Sequence, residues 1–80
     1  MCAIFGFVNY RRSLSRSEMK ELINRLSVES EVRGKDATGI AYVKQGKLKV
    51  FKRAKPAHKV RLYVHEDTVI LTGHTRMTTQ

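Results

Sequence analysis

Residues 2–8, Cys-Ala-Ile-Phe-Gly-Phe-Val, are almost continuously apolar. A run this short, partly β-branched and aromatic, reads as a strand buried on both faces. Gly6 within it predicts close approach of another backbone. Residues 9–17 are mostly polar and read as a loop. The period then changes. Met19, Leu22, Ile23 and Leu26 fall at i, i+3, i+4 and i+7, one face of a helix, while Lys20, Glu21, Asn24 and Arg25 fall on the other. Ser15 with Glu18 three residues later is a capping box. The helix is expected to lay its stripe on a sheet and to end around residues 30–32. Arg33-Gly34-Lys35-Asp36 reads as a turn, with Gly34 supplying a positive φ. Residues 38–44 and 48–53 read as two strands folded into a hairpin at Gln45-Gly46. Residues 56–62 are ambiguous: Pro56 suits the opening of a short helix, with Val60 and Tyr63 pointing inward. Residues 68–72, Thr-Val-Ile-Leu-Thr, form a last strand that runs into Gly73-His74-Thr75-Arg76.

Eighty residues hold one small domain at most, and 41% hydrophobic content with a single Pro is ordinary for a folded chain. One cysteine excludes an internal disulfide framework, which fits a reducing cytoplasm. No run approaches the length of a membrane helix, and residues 1–8 lack the charged start and small-residue cleavage site of a signal peptide. Charge changes the picture more. Sixteen Lys and Arg against seven Asp and Glu give +9, and residues 37–65 contain no acid. Such a block attracts nucleic acid or another polyanion. It is equally the composition of a solvated strand face, as the alternation Lys47-Leu48-Lys49-Val50 suggests, and exposed lysines guard strands against edge pairing.

The candidate chemistry starts at Cys2. Methionine is commonly trimmed ahead of a small residue, and trimming would leave a thiol and a free α-amine on one residue. A thiolate is the attacking form, and a terminal amine is a known activating base. The plain reading is a small apolar residue at a strand start. Two further motifs stand beside Met1-Cys2-Ala3-Ile4-Phe5-Gly6. They are Arg33-Gly34-Lys35-Asp36-Ala37-Thr38-Gly39 and Gly73-His74-Thr75-Arg76-Met77-Thr78-Thr79.

In this order the three motifs resemble the class II glutamine amidotransferases, whose glutaminase domains are N-terminal-nucleophile hydrolases. The resemblance spans almost the whole chain. It implies an α+β fold, a four-layer αββα sandwich of two antiparallel sheets. Residues 1–80 would be the N-terminal part of that domain, since the chain stops in a polar stretch soon after a core strand. It also implies an activity. Mature Cys2 would attack the side-chain amide of L-glutamine with its own α-amine as base. Ammonia would leave, and water would hydrolyse the γ-glutamyl thioester. An ammonia-accepting synthase domain or subunit is the implied partner, and no cofactor is called for.

By the same resemblance Arg76 would hold the α-carboxylate of glutamine, a task suited to a planar guanidinium with two parallel donors. Thr79 and the backbone of Gln80 match a loop that contacts substrate, and Arg33 and Gly34 match a turn near the nucleophile. Asp36 is expected to organise that turn through backbone amides rather than to act chemically. His74 is not the family's base, and His58, His65 and His74 have no familiar metal-ligand spacing. Three departures stand out. Ala3 replaces the glycine usual behind the nucleophile. Met77 stands where several members carry an aromatic residue. The Asn-Gly pair of the family's oxyanion hole is missing, because no Asn follows Asn24. The 80 residues alone are therefore expected to be inactive, and to expose apolar surface that the rest of the fold would cover. Two other readings stay open. One is a small basic nucleic-acid-binding module with Tyr42, Phe51 and Tyr63 as stacking aromatics. The other is an inactive amidotransferase fragment.

Overall fold

The computed structural model describes residues 2–77. It is α+β. The elements are β1 (Ala3–Val8), α1 (Arg16–Ser30), a 3-10 turn (Glu31–Arg33), β2 (Ala37–Lys44), β3 (Lys47–Arg53), a second 3-10 turn (Ala57–Lys59) and β4 (Ile70–Arg76). The four strands form one antiparallel sheet in the order β1-β4-β2-β3. The last strand in sequence is therefore central, and β1 and β3 are edges.

The helix starts where the capping box sets it. Ser15 Oγ accepts the Glu18 amide at 3.2 Å, and Glu18 Oε1 accepts the Ser15 amide at 2.9 Å. These bonds, the backbone one foremost, hold the Glu18 carboxyl below its ordinary range. Met19 and Ile23 are wholly buried, Leu22 and Leu26 are half-buried, and the stripe lies on Phe5, Ile40 and Leu71 of the sheet. Leu62 and Val64 complete this core. Each such aliphatic side chain contributes about 1.5–3 kcal/mol on leaving water. At the hairpin, Gln45 and Gly46 have φ of 51° and 75°, the paired positive values that match the twist of the strands they join.

The structure corrects several expectations. β1 is not buried on both faces. It is an edge strand whose Phe5 is buried while Ile4 is 84% exposed, because α1 covers only one side of the sheet. Tyr63 points outward and its neighbours Leu62 and Val64 point in. The phase is set by Asn24, which is not a solvated residue of the polar helix face. Its amide grips the Leu62 backbone from both sides, donating to the carbonyl at 2.8 Å and accepting the N–H at 2.9 Å. Lys20 then caps the outward ring, with Nζ 4.8 Å from the Tyr63 centroid. The last strand begins at Ile70 rather than 68 and continues through Arg76, since Gly73, His74 and Thr75 pair with both neighbours. Gly34 is extended, with φ −165°, so a positive φ is not what its position needs. It needs space: a Cβ there would collide with the backbone of Thr75 and Arg76. Gly6 meets its expectation, since a Cβ on it would strike the Leu71 carbonyl.

The other face of the sheet is uncovered among the described residues. Register puts Ile4, His74, Gly39 and Lys52 in one row across it, and Gly6, Thr72, Ala41 and Val50 in the next. Beyond them Val8 faces Ile70 and Val43 faces Leu48. The aliphatic residues among these, Ala41 apart, are exposed. The His74 ring and the Lys52 side chain lie over Gly39, so the face combines exposed aliphatic side chains with a few polar ones.

Candidate functional site

The C-terminal end of β4 is where the three motifs meet. Ala3 pairs with Thr75 on one side, and Ala37 pairs with Arg76 on the other. Continuing the β1 register by one residue brings Cys2 level with Arg76. The alternation that puts Thr72 and His74 on the uncovered face puts Arg76 there too, and it puts Cys2 on the side of Ile4 and Gly6. Both Cys2 and Arg76 are exposed. A thiol and a guanidinium distant in sequence thus stand on neighbouring strand ends, facing the same way.

The second motif packs behind them. Gly34 is buried against the Arg76 backbone, and its N–H donates to the Glu31 carbonyl at 2.9 Å. With that amide occupied, Gly34 shapes the site by letting the turn lie flat on β4. The Asp36 N–H donates to the Arg76 carbonyl at 2.9 Å. Arg33 closes the 3-10 turn beside them and is exposed. Thr79 and Gln80 lie outside the described residues, and Met77 is half-buried just before them.

Three contacts that no sequence pattern announced fix this end. Thr75 Oγ1 is fully buried and donates to the Ser30 carbonyl at 2.8 Å, tying the end of α1 to β4. Thr38 Oγ1, also buried, donates to the Lys55 carbonyl at 2.9 Å. Glu31 Oε1 accepts the His58 amide at 2.7 Å and lies 2.8 Å from its ring Nδ1. The backbone bond above all holds the Glu31 carboxyl below its ordinary 4.5. These contacts fasten the turn carrying Arg33 and Gly34 at both ends. Their partners are 45, 17 and 27 residues apart, which is why local patterning gives no sign of them.

His74 lies on the uncovered face, its ring beside Gly39, where a Cβ would come within 3.0 Å of Cε1. It pairs with Ile4 and Gly39 rather than with the strand end that carries Cys2. The other two imidazoles are engaged elsewhere: His58 with Glu31, and His65 through Nδ1, which accepts the Asp67 amide at 3.1 Å. Among the described residues no group of three or more His, Cys, Asp or Glu is arranged to hold a metal ion. No helix among them is long and apolar enough to cross a membrane. The basic block falls largely on edge strand β3, where Lys47, Lys49, Lys52 and Arg53 are all exposed. Arg53 stacks on Phe51 at 4.2 Å, which removes one aromatic from the stacking surface a nucleic-acid reader would need.

Compared with protein-family models, curated proteins and solved structures, the chain matches none of them.

Proposed function

We propose that the chain contributes the nucleophile and the carboxylate clamp of a glutaminase of the class II amidotransferase type. The observation that carries this reading is the convergence at the end of β4. Three motifs from the start, middle and end of the chain meet there in the order the resemblance requires, with Cys2 and Arg76 level on adjacent strand ends. A strand end opening onto loops is also where a rigid scaffold most readily carries chemistry.

In this reading Met1 is removed, and the freed α-amine takes the thiol proton. The thiolate of Cys2 attacks the amide carbon of the glutamine side chain. The tetrahedral adduct collapses with the proton passing from the amine to the departing nitrogen, which leaves as ammonia. Water then cleaves the thioester to glutamate and returns the thiol. Two moderate barriers replace one high one. Arg76 holds the α-carboxylate and so fixes how far the amide reaches toward Cys2. The oxyanion donors come from outside these 80 residues. Removing one such donor lowers the rate by about 10²–10³, which makes the isolated chain a binding and nucleophile half-site.

The uncovered face supports the same reading at the level of architecture. One helix on one side of a sheet, with exposed aliphatic side chains on the other, is the arrangement that half of an αββα sandwich would present. A second sheet packed on that face would bury Ile4, Val8, Val43, Val50 and Ile70, and would bring its loops over Cys2. The ammonia acceptor would be a synthase domain or subunit, and the setting a reducing cytoplasm. The test is glutamate release from glutamine by the full-length product, alongside Cys2→Ala and Cys2→Ser. Release that disappears in both variants is expected, with mass spectrometry showing a chain that starts at Cys2. Release that persists in Cys2→Ala, or a fully active chain that retains Met1, overturns the mechanism.

A further inference from the structure

Away from that end of the sheet, a groove of about 650 Å³ runs alongside α1, with the segment 57–61 as its second wall. On the helix side its residues recur every three or four positions from Ser17 to Val28, a distance of about 16 Å at 1.5 Å per residue. Such a length accommodates about five residues of extended chain. The floor is apolar: Val28 is 48% exposed, and Ala57 and Val60 lie opposite. The walls are basic. Lys20 stands on the helix, held over Tyr63, and Lys59 and Arg61 stand across from it. Glu21 is the single acid among the lining residues. Asn24 at the base has its amide fully committed to Lys20 and Leu62, so recognition falls to the charges and the apolar floor.

From this charge pattern we infer that the groove binds a short extended peptide in which acidic and aliphatic residues alternate. Alternate side chains of an extended segment point to opposite sides. In such a peptide one set of side chains meets the Val28–Val60 floor while the acids reach the basic walls. The cations stand on opposite walls rather than converging on one point, as a lone phosphate would require, and an apolar floor offers nothing to a nucleic-acid backbone. The inference is independent of the glutaminase reading, since none of the lining residues belongs to its three motifs.

The test is fluorescence anisotropy of the purified chain with a fluorescein-labelled Asp-Leu-Asp-Val-Glu peptide. Saturable binding that weakens with salt is expected. The double variant Lys59→Glu/Arg61→Glu should lower affinity by roughly tenfold or more, since reversing a charge replaces an attraction with a repulsion. The double variant Lys47→Glu/Lys49→Glu, on β3 away from the groove, should change it less than about twofold. Replacing the peptide's Leu and Val by Ser should abolish binding. Amide resonances of residues 17–28 and 57–61 should shift in the unaltered chain, which locates the peptide even if a variant fails to fold. Absent binding, equal loss in the two double variants, equal binding of the Ser peptide, or tighter binding of a single-stranded oligonucleotide at the same residues would each overturn the proposal.

Discussion

The two faces of this sheet are built from alternate residues of the same four strands, yet they have opposite characters. The covered face carries Phe5, Ile40 and Leu71 against Met19 and Ile23, with Thr38 and Thr75 spending their hydroxyls on carbonyls at 2.9 and 2.8 Å. The buried side chains there are fixed by packing or by these hydrogen bonds. The uncovered face carries Ile4, Val8, Val43, Val50 and Ile70 with nothing over them among the described residues. Folding free energy is thus concentrated on one side, since apolar area contributes only when it leaves water. The groups with candidate chemistry, Cys2 and Arg76, stand on the other. A sheet made this way separates the surface that holds it together from the surface that carries the candidate chemistry.

The sharpest way to break this contrast is a pair of truncations. Ile23→Ala, on the wholly buried helix stripe, should destabilise the chain by about 2–5 kcal/mol, through lost transfer energy and a cavity that neighbours fill only in part. Ile4→Ser, on the exposed side of β1, should change stability by less than about 0.5 kcal/mol. Denaturant midpoints at several protein concentrations would measure both. A cost for Ile4→Ser that approaches that of Ile23→Ala, and that grows with concentration, would mean that copies of the chain cover the apolar face in solution.

A second test falls where the two faces meet, at the end of β4. Gly34→Ala places a methyl group into the backbone of Thr75 and Arg76, neither of which can rotate away. Overpacking of this kind costs about 1–3 kcal/mol, and relief requires the 33–36 turn to lift off the strand. The expected result is a lowered melting temperature together with loss of protection at the Asp36 amide in hydrogen exchange, since that amide bonds to the Arg76 carbonyl. Gly46→Ala separates space from backbone conformation. Its Cβ would meet nothing within 4 Å, so any cost there comes from φ 75° alone. Equal effects at the two positions would show that Gly34 is not kept for close packing.

The elements were legible in the sequence because each has a local cause. The capping box fixes the start of α1, the i, i+3, i+4, i+7 stripe fixes its inner face, and Gln45-Gly46 fixes the hairpin. What local pattern hides is how many sides of an element are covered. The apolar run of residues 2–8 looks like a doubly buried strand, but Ile4 and Val8 are apolar on the bare side. Central strand β4 looks like a short strand with a polar tail, because His74 and Thr75 owe their place to pairing with β1 and β2. The outward turn of Tyr63 is hidden from local pattern in the same way. Only the Asn24 amide, 38 residues away, decides which of the residues near 62 turns inward. For the candidate site, the three motifs identify Cys2, Gly34 and Arg76, and their order says nothing of distance. Strand pairing is what brings them to one end.

The smallest expected effect concerns Glu31 and His58, which fasten the turn behind Arg76. The Glu31 carboxyl accepts the His58 amide and stands beside its ring, and the bonds, the backbone one first, hold it below 4.5. A carboxyl depressed in the folded state binds a proton more readily in the unfolded chain. Its stabilising contribution is therefore fully present above the ordinary value and fades as pH falls through the lowered folded value. Acid should loosen the turn while leaving the core of Met19, Ile23 and Leu71 packed. Glu31→Gln keeps an oxygen to accept the His58 amide but removes the titrating charge. Between about pH 6 and about pH 3, it should lose less stability than the unaltered chain, with other carboxyls supplying the remaining slope. Glu18→Gln, at the other end of the helix, provides the comparison, because its depressed carboxyl contributes to the slope without touching the turn. If the protection of the Gly34 and Asp36 amides, measured against their intrinsic exchange rates, falls in acid in the Glu18→Gln chain but stays steady in Glu31→Gln, the Glu31–His58 contact is what holds the site end of β4 in place. If protection falls equally in both, titration of Glu31 is not what loosens the turn.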